Sequence, residues 1–405
     1  MEKLIRSASL TANMERYALS PFNPKLELPD LIIYDSTLRD GEQMPGVAFD
    51  LEQKVAIARK LDAIHVPQIE AGFPAVSESE MRSIRTITKL GLDAEILALS
   101  RVLKGDIDAA VNAGVDMVLL FVATSDIHLR YKFNIKQERV LEMVGDALDY
   151  CKTRGVRAAL SCEDSTRTEL EFLFQVFDRA QEAGAVRLGI TDTVGCASPE
   201  AISTIVSAVK ARYRLPISVH LHNDFGLALA NAIAAVKVGA QAVTTTVNGI
   251  GERAGNVPLE EFVSAMKFLY GKDLGIDLSE LKDLSEMVAS FSRVPLGRNH
   301  PVVGDNVFAH ESGIHVAAVL NCPQTYESIP PEEVGNRRHL LLGKHSGATY
   351  IKKRLDDLNV KVSEEQVAQI LTKVKALGEI KGRVSDADFE ELVKEVMHPE
   401  LHFKA

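Results

Sequence analysis

The chain has 405 residues, 46% of them hydrophobic and 25% charged, which suits a globular protein with a full core and no low-complexity tracts. Its net charge of -10 is dispersed along the chain and argues against a nucleic-acid or anionic-membrane surface. No apolar run approaches the ~18 residues of a membrane helix, and the four cysteines, none in a CxxC pair, argue against a disulfide frame or thiolate metal site and fit a reducing cytoplasm.

Residues 1–28 are polar and mixed, pass through Pro21-Phe-Asn-Pro24, and read as an N-terminal arm. From Leu31 one unit then repeats: a short β-branched apolar run, a loop, and an amphipathic helical segment. The expected strands are Leu31–Asp35, Val66–Glu70, Ala94–Leu99, Met117–Val122, Arg157–Ser161, Arg187–Thr191, Ser218–Leu221 and Ala242–Val247. Helical patterns follow at 51–64, 76–90, 107–113, 136–152, 169–183, 199–213, 226–238 and 259–270. Strands alternating with helices of this length imply βαβ units and a parallel sheet. Eight units match a closed (β/α)8 TIM barrel over 29–275 better than the alternative, an open doubly wound sheet. After Gly271 the pattern turns mostly helical, with segments at 278–292, 307–320, 348–358, 364–377 and 385–396, so 276–405 reads as helical C-terminal subdomains.

Chemistry-bearing residues cluster just past the strand ends, where such a barrel keeps its loops. After the first strand comes Asp35-Ser-Thr-Leu-Arg39-Asp40-Gly41-Glu42-Gln43. A carboxylate there suits a hard cation, and the adjacent Arg39 suits an anionic substrate. The bland alternative is a helix cap with a surface ion pair. At the seventh strand, Val219-His220-Leu221-His222 places two imidazoles at i and i+2, on one face of the strand, where both can reach one ion. The Gly-rich loop Gly249-Ile-Gly-Glu-Arg-Ala-Gly255-Asn256 follows the eighth strand. Alone it reads equally as a phosphate turn, but beside the His pair it makes Asn256 a candidate oxygen ligand. Glu70, Glu163 and Thr193 also follow strands; Glu163 suits acid–base work and Thr193 the holding of a carboxylate, while each taken singly reads equally well as structural.

These motifs resemble the metal-dependent Claisen-condensing barrel enzymes, the 2-isopropylmalate, homocitrate, citramalate and Re-citrate synthases. The resemblance rests on Leu38-Arg-Asp-Gly-Glu-Gln43, His220-Leu-His-Asn-Asp224 and Gly249–Asn256. It continues in Phe308-Ala-His-Glu-Ser-Gly-Ile-His315, Thr325-Tyr-Glu327 and Gly343-Lys-His-Ser-Gly347. It implies Asp40, His220, His222 and Asn256 as ligands of a divalent metal cation (Zn, Mn, Mg or Co). Arg39, Gln43, Glu70 and Thr193 would bind substrate, and Arg39, Glu163, His315 and Tyr326 would be catalytic, His315 and Tyr326 at the barrel mouth of a homodimer partner. Acetyl-CoA and a 2-oxo acid would be the substrates.

The length and Pro323-Gln-Thr-Tyr-Glu327 resemble the short homocitrate synthase type, which takes 2-oxoglutarate. One position departs. Lysine-pathway members carry an Arg four residues before Glu163, where this chain has Ala159. A dicarboxylic substrate then needs another cation, with Arg130, Lys132 and Arg101 as candidates, whereas 2-oxoisovalerate needs none. A lyase of the 3-hydroxy-3-methylglutaryl-CoA type shares the barrel and metal site, but its Cys has no counterpart in Gly249–Asn256.

Overall fold

The structure, a computed structural model, describes residues 19–26, 28 and 30–398. The arm expected over 1–28 falls largely outside the described residues, as do residues 399–405. The chain divides into two compact units, Asn23–Leu296 and one built on residues from Gly297 onward. Among the described residues no helix is long and apolar enough to cross a membrane.

The first unit is a closed barrel of eight parallel strands in sequential order. They are β1 (Ile32–Asp35), β2 (Gln68–Glu70), β3 (Glu95–Arg101), β4 (Met117–Ala123), β5 (Arg157–Glu163), β6 (Leu188–Asp192), β7 (Ile217–Leu221) and β8 (Ala242–Thr245). The helices are α1 (Leu51–Ala63), α2 (Glu78–Ile87), α3 (Lys104–Ala113), α4 (Gln137–Thr153), α5 (Leu170–Glu182), α6 (Pro199–Arg212), α7 (Ala228–Lys237), α8 (Leu259–Ser264) and α9 (Leu281–Ser292). Local chemistry sets their starts: Asp50 and Gln53 close a capping box on α1, and Ser198 caps α6 with Pro199 in its first turn.

Alternation along the strands sorts side chains between two layers. Tyr34, Leu97, Met117, Leu119, Ala159 and Ala242 pack together, with Ile32 and Leu99 against them, to fill the barrel interior. The barrel closes where β1 meets β8, with Tyr34 opposite Thr244 and Asp35 opposite Thr245. Ser36 N–H donates to Thr245 C=O at 2.8 Å and Val247 N–H to Thr37 Oγ1 at 2.8 Å, so the loops after these two strands are tied together.

Two stretches of this unit wind as π-helix. The loop after β4 makes a single turn of π-helix, Leu129–Phe133, and ends on left-handed Asn134 (φ 52). The helical pattern of 259–270 ends in a second π turn, Ala265–Leu269.

In the second unit, β9 (Ala309–His310) pairs in parallel with β10 (His339–Leu340). Helices α10 (Gly313–Asn321), α11 (Ala348–Asp357), α12 (Glu364–Lys381) and α13 (Asp386–Met397) enclose a core of Val316, Ile351, Leu355, Ile370, Val374 and Phe389. The helix expected over 307–320 begins only at Gly313, because the backbone at 309–310 is used for strand pairing.

Candidate active site

The turn after β1 folds onto Ser36, whose carbonyl accepts from the N–H groups of Arg39 (3.1 Å), Asp40 (2.8 Å) and Gly41 (3.1 Å). This tight turn aims Arg39 and Asp40 at the barrel mouth. Arg39 Nε donates to Glu70 Oε1 at 2.8 Å, and its Nη1 donates to Asp40 Oδ2 at 2.9 Å and to Gln43 Oε1 at 3.3 Å. Glu70 is fully buried and is held from its other side by Ser36 Oγ. Burial opposes the Arg39 charge, but Glu70 and then Asp40 more than offset it. Burial likewise works against ionised Asp40; Arg39 and His220 reverse that and hold its carboxyl well below the usual range.

His220 and His222 project from the end of β7 onto the same carboxylate. Asp40 Oδ2 lies 3.1 Å from His220 Nε2 and 3.8 Å from His222 Nε2, and the two Nε2 atoms are 3.1 Å apart. All three residues are buried. Burial pushes His222 down to about 3, with His220 adding to the effect, so its imidazole is neutral at ordinary pH. Asn256 stands beside them: His222 and Asn256 form an isolated β-bridge, and Asn256 Oδ1 is buried with no hydrogen-bond partner.

This donor set fits a cation. Ligands about 2.1 Å from a common ion and about 90–110° apart stand about 3.0–3.4 Å from one another. The Asp40–His220 and His220–His222 pairs match that spacing. The 3.1 Å approach of the two Nε2 atoms is either one hydrogen bond or the spacing of two ligands on one ion, and both Nδ1 atoms are buried without a hydrogen-bond partner. With no thiolate, the set of imidazole and oxygen donors suits Mg, Mn, Co or Zn.

The three residues line a cavity of about 310 Å³ together with Arg39, Gln43, Glu70, Glu163 and Thr193. Thr193 Oγ1 accepts from Asp164 N–H at 2.8 Å, while Arg253 holds the Thr193 carbonyl and Asp224. Glu163 Oε1 receives Lys132 Nζ at 2.6 Å and lies 3.3 Å from His128 Nδ1. Lys132 is therefore a cavity cation, whereas Arg101 is committed to Asp106 through Nε at 2.6 Å and Nη2 at 3.0 Å. The cavity wall also includes Tyr34, Phe73, Leu99, Leu119, Phe121 and Ser161, which motif reading passed over. The signal was present: Leu99, Leu119, Phe121 and Ser161 share the inward parity of their strands.

In the second unit, His315 and Tyr326 stack with ring centroids 4.1 Å apart and planes at 34°. Both are exposed, Tyr326 at 47%. Tyr326 is anchored by its neighbour Glu327, which is buried and gripped by Arg338 through Nε and Nη2, both at 2.6 Å. The structure thus brings this pair together within one unit.

A family model described as HMGL-like matches residues 30–288, and one described as homocitrate synthase post-HMGL domain-like matches 302–382. Homocitrate synthase AksA of Methanopyrus kandleri is 51% identical over 374 residues, 92% of this chain and 94% of that one. The 2-isopropylmalate synthase of Methanocaldococcus jannaschii is 44% identical over 92% of this chain and 73% of its own. A solved HMG-CoA lyase from Bacillus subtilis superposes with a TM-score of 0.62 over 68% of this chain and 99% of its own; at 21% identity that likeness speaks for the barrel alone. The chain belongs to the HMGL-like family, in the branch of the homocitrate, 2-isopropylmalate and citramalate synthases.

Proposed function

We propose that the chain condenses acetyl-CoA with a 2-oxo acid of the 2-oxoglutarate class and then hydrolyses the thioester, as a homocitrate synthase. The observation that carries this reading is the convergence of Asp40, His220 and His222 beside Arg39 in one buried cavity. A divalent cation held by these residues and Asn256 would polarise the ketone and neutralise charge growing on its oxygen. Arg39, already charged and oriented by Glu70, adds a second donor to that oxygen. Thr193 offers its hydroxyl hydrogen to the substrate carboxylate, its oxygen being occupied by Asp164 N–H. The thioester methyl is a poor carbon acid, so a positioned base must take its proton before the new C–C bond forms at the ketone carbon. The alkoxide then takes up a proton, and water cleaves the thioester to release CoA. Glu163, its charge balanced by Lys132, serves proton transfer at the mouth. His315 and Tyr326 assist deprotonation at the mouth of a partner subunit, which makes a homodimer part of the reading. Four free cysteines support a reducing, cytoplasmic setting.

A thiol-reagent assay for free CoA across 2-oxoglutarate, 2-oxoisovalerate, pyruvate and oxaloacetate tests the proposal. Release with 2-oxoglutarate is expected, and no release with any of the four overturns it. One observation favours a second reading as a 2-isopropylmalate synthase. The wall formed by Leu99, Leu119 and Phe121, with Ala159 in the layer beneath, is apolar enough for the branched tail of 2-oxoisovalerate.

A further inference from the structure

Arg187 immediately precedes β6 and faces into the barrel. It is 4% exposed. Its Nη1 donates to Gln68 Oε1 at 2.8 Å, on the far side of the barrel, and its guanidinium carbon sits 4.8 Å from the centre of the Tyr34 ring. Nε and Nη2 are buried and have no hydrogen-bond partner. Those two atoms form the side edge of the guanidinium, the edge by which Arg101 holds Asp106 and Arg338 holds Glu327. In Arg187 this carboxylate-binding edge is free.

Among the described residues no acid bonds to it. Glu95 is the nearby candidate, but its carboxylate takes Gln68 Nε2 at 2.6 Å and Arg157 Nη2 at 2.7 Å. A buried cation with two unused donors is costly to a fold unless something else uses them. Tyr34, which stacks on Arg187, also lines the cavity. Ala159 lies beside Arg187 in the β5–β6 register, one step before the Leu160–Leu188 pair, and packs with Tyr34 and Leu119. Two residues further up, Ser161 lines the cavity and fills the space over Gly189, where a Cβ would run into Ser161 Oγ. Between cavity and guanidinium stand Tyr34, Ala159 and Leu119, with Leu97 and Met117 packed against them.

We propose that Arg187 is the specificity-determining counter-charge for the far carboxylate of a 2-oxo dicarboxylate, reached down the barrel axis past Tyr34, Ala159 and Ser161. The inference rests on the condensing reading for the identity of the substrate. It places a cation one strand over from Ala159, below the apolar stretch of wall formed by Leu99, Leu119 and Phe121. A second carboxylate approaching this edge in a low-dielectric interior is favoured over an apolar tail by about 10–100-fold in affinity.

The test is titration calorimetry of 2-oxoglutarate and 2-oxoisovalerate into the Mn²⁺-supplemented enzyme, for the wild type, R187M and R187K. The wild type is expected to bind 2-oxoglutarate at least about tenfold more tightly. R187M should erase that preference by weakening 2-oxoglutarate about 10–100-fold while leaving 2-oxoisovalerate within about threefold. R187K, which keeps a charge but not the two-pronged edge, should lose about 3–10-fold for 2-oxoglutarate alone. A wild type without the preference, equal losses for both acids in R187M, or an unchanged R187K overturns the assignment. If R187M does not fold, the wild-type preference and R187K decide it. Absence of CoA release with any 2-oxo acid would instead sink the condensing reading, and the binding preference would still judge Arg187.

Discussion

A Cβ placed on Gly251 would run into Asn256 Nδ2 and lie 3.0 Å from Asp40 Oδ1. The loop after β8 therefore presses its backbone against two of the four proposed metal ligands, and only glycine fits there. Gly251→Ala should weaken Mn²⁺ binding at least about tenfold with the barrel intact, the loss typical when the support of a ligand is disturbed. Metal titration followed by circular dichroism checks this; wild-type metal affinity would refute the arrangement.

Among the proposed ligands, His220 stands 3.1 Å from both Asp40 Oδ2 and His222 Nε2. His220→Ala is expected to abolish condensation through loss of metal while the helical signal stays within a few per cent of wild type. Full activity with stoichiometric metal in that variant would remove His220 from the ligand set.

The stacked pair His315 and Tyr326 yields a test that needs two variants in one preparation. Each of His315→Ala and His220→Ala should lose about 10²–10⁴-fold in kcat or more as a pure sample. Co-expressed and purified as a mixed dimer, the two should regain measurable activity, since one subunit supplies the barrel and the other the pair. A mixed dimer as inactive as its parents would show that the pair does not serve a neighbouring mouth.

Asp35, at the end of β1, faces away from the cavity with Oδ2 lacking a hydrogen-bond partner, and burial raises its carboxyl to about 7. In the unfolded chain the group ionises near its ordinary value, so the contribution it makes when protonated is lost as pH rises from about 4 to about 7. Asp35→Asn should therefore gain on the wild type over that interval, by on the order of 1–3 kcal/mol at pH 8. Denaturant melts at pH 5 and pH 8 read this directly, and a gap between variant and wild type that does not widen with pH would contradict it.

Much of the barrel was legible because its period is regular. Eight apolar runs separated by amphipathic helices admit few closures, and the two His at i and i+2 on β7 announce a shared target. What escaped was set by tertiary neighbours. Nothing local marks Leu129–Phe133 as a π turn, because its reward lies in bringing Lys132 to Glu163 from the adjacent strand. The two-residue strands β9 and β10 are too short for any periodicity to show. Arg187 stands at a strand's opening, where a charged residue reads as a solvated edge; only the register against β5 and the reach to Gln68 reveal it as interior.

The closure of β1 on β8 also bears on how the protein is made. Asp40 comes from the first strand's loop and Asn256 from the last, so no partly synthesised barrel holds the complete proposed ligand set. Pairing across such a long stretch of chain is slow, because loop closure must precede any contact it enables. An ion bound by that proposed set would act as a clasp on the final seam, its occupancy reporting that the ring is shut. A chain released without it would open first at the β8–β1 join, the place where an active preparation and an ageing one should begin to diverge.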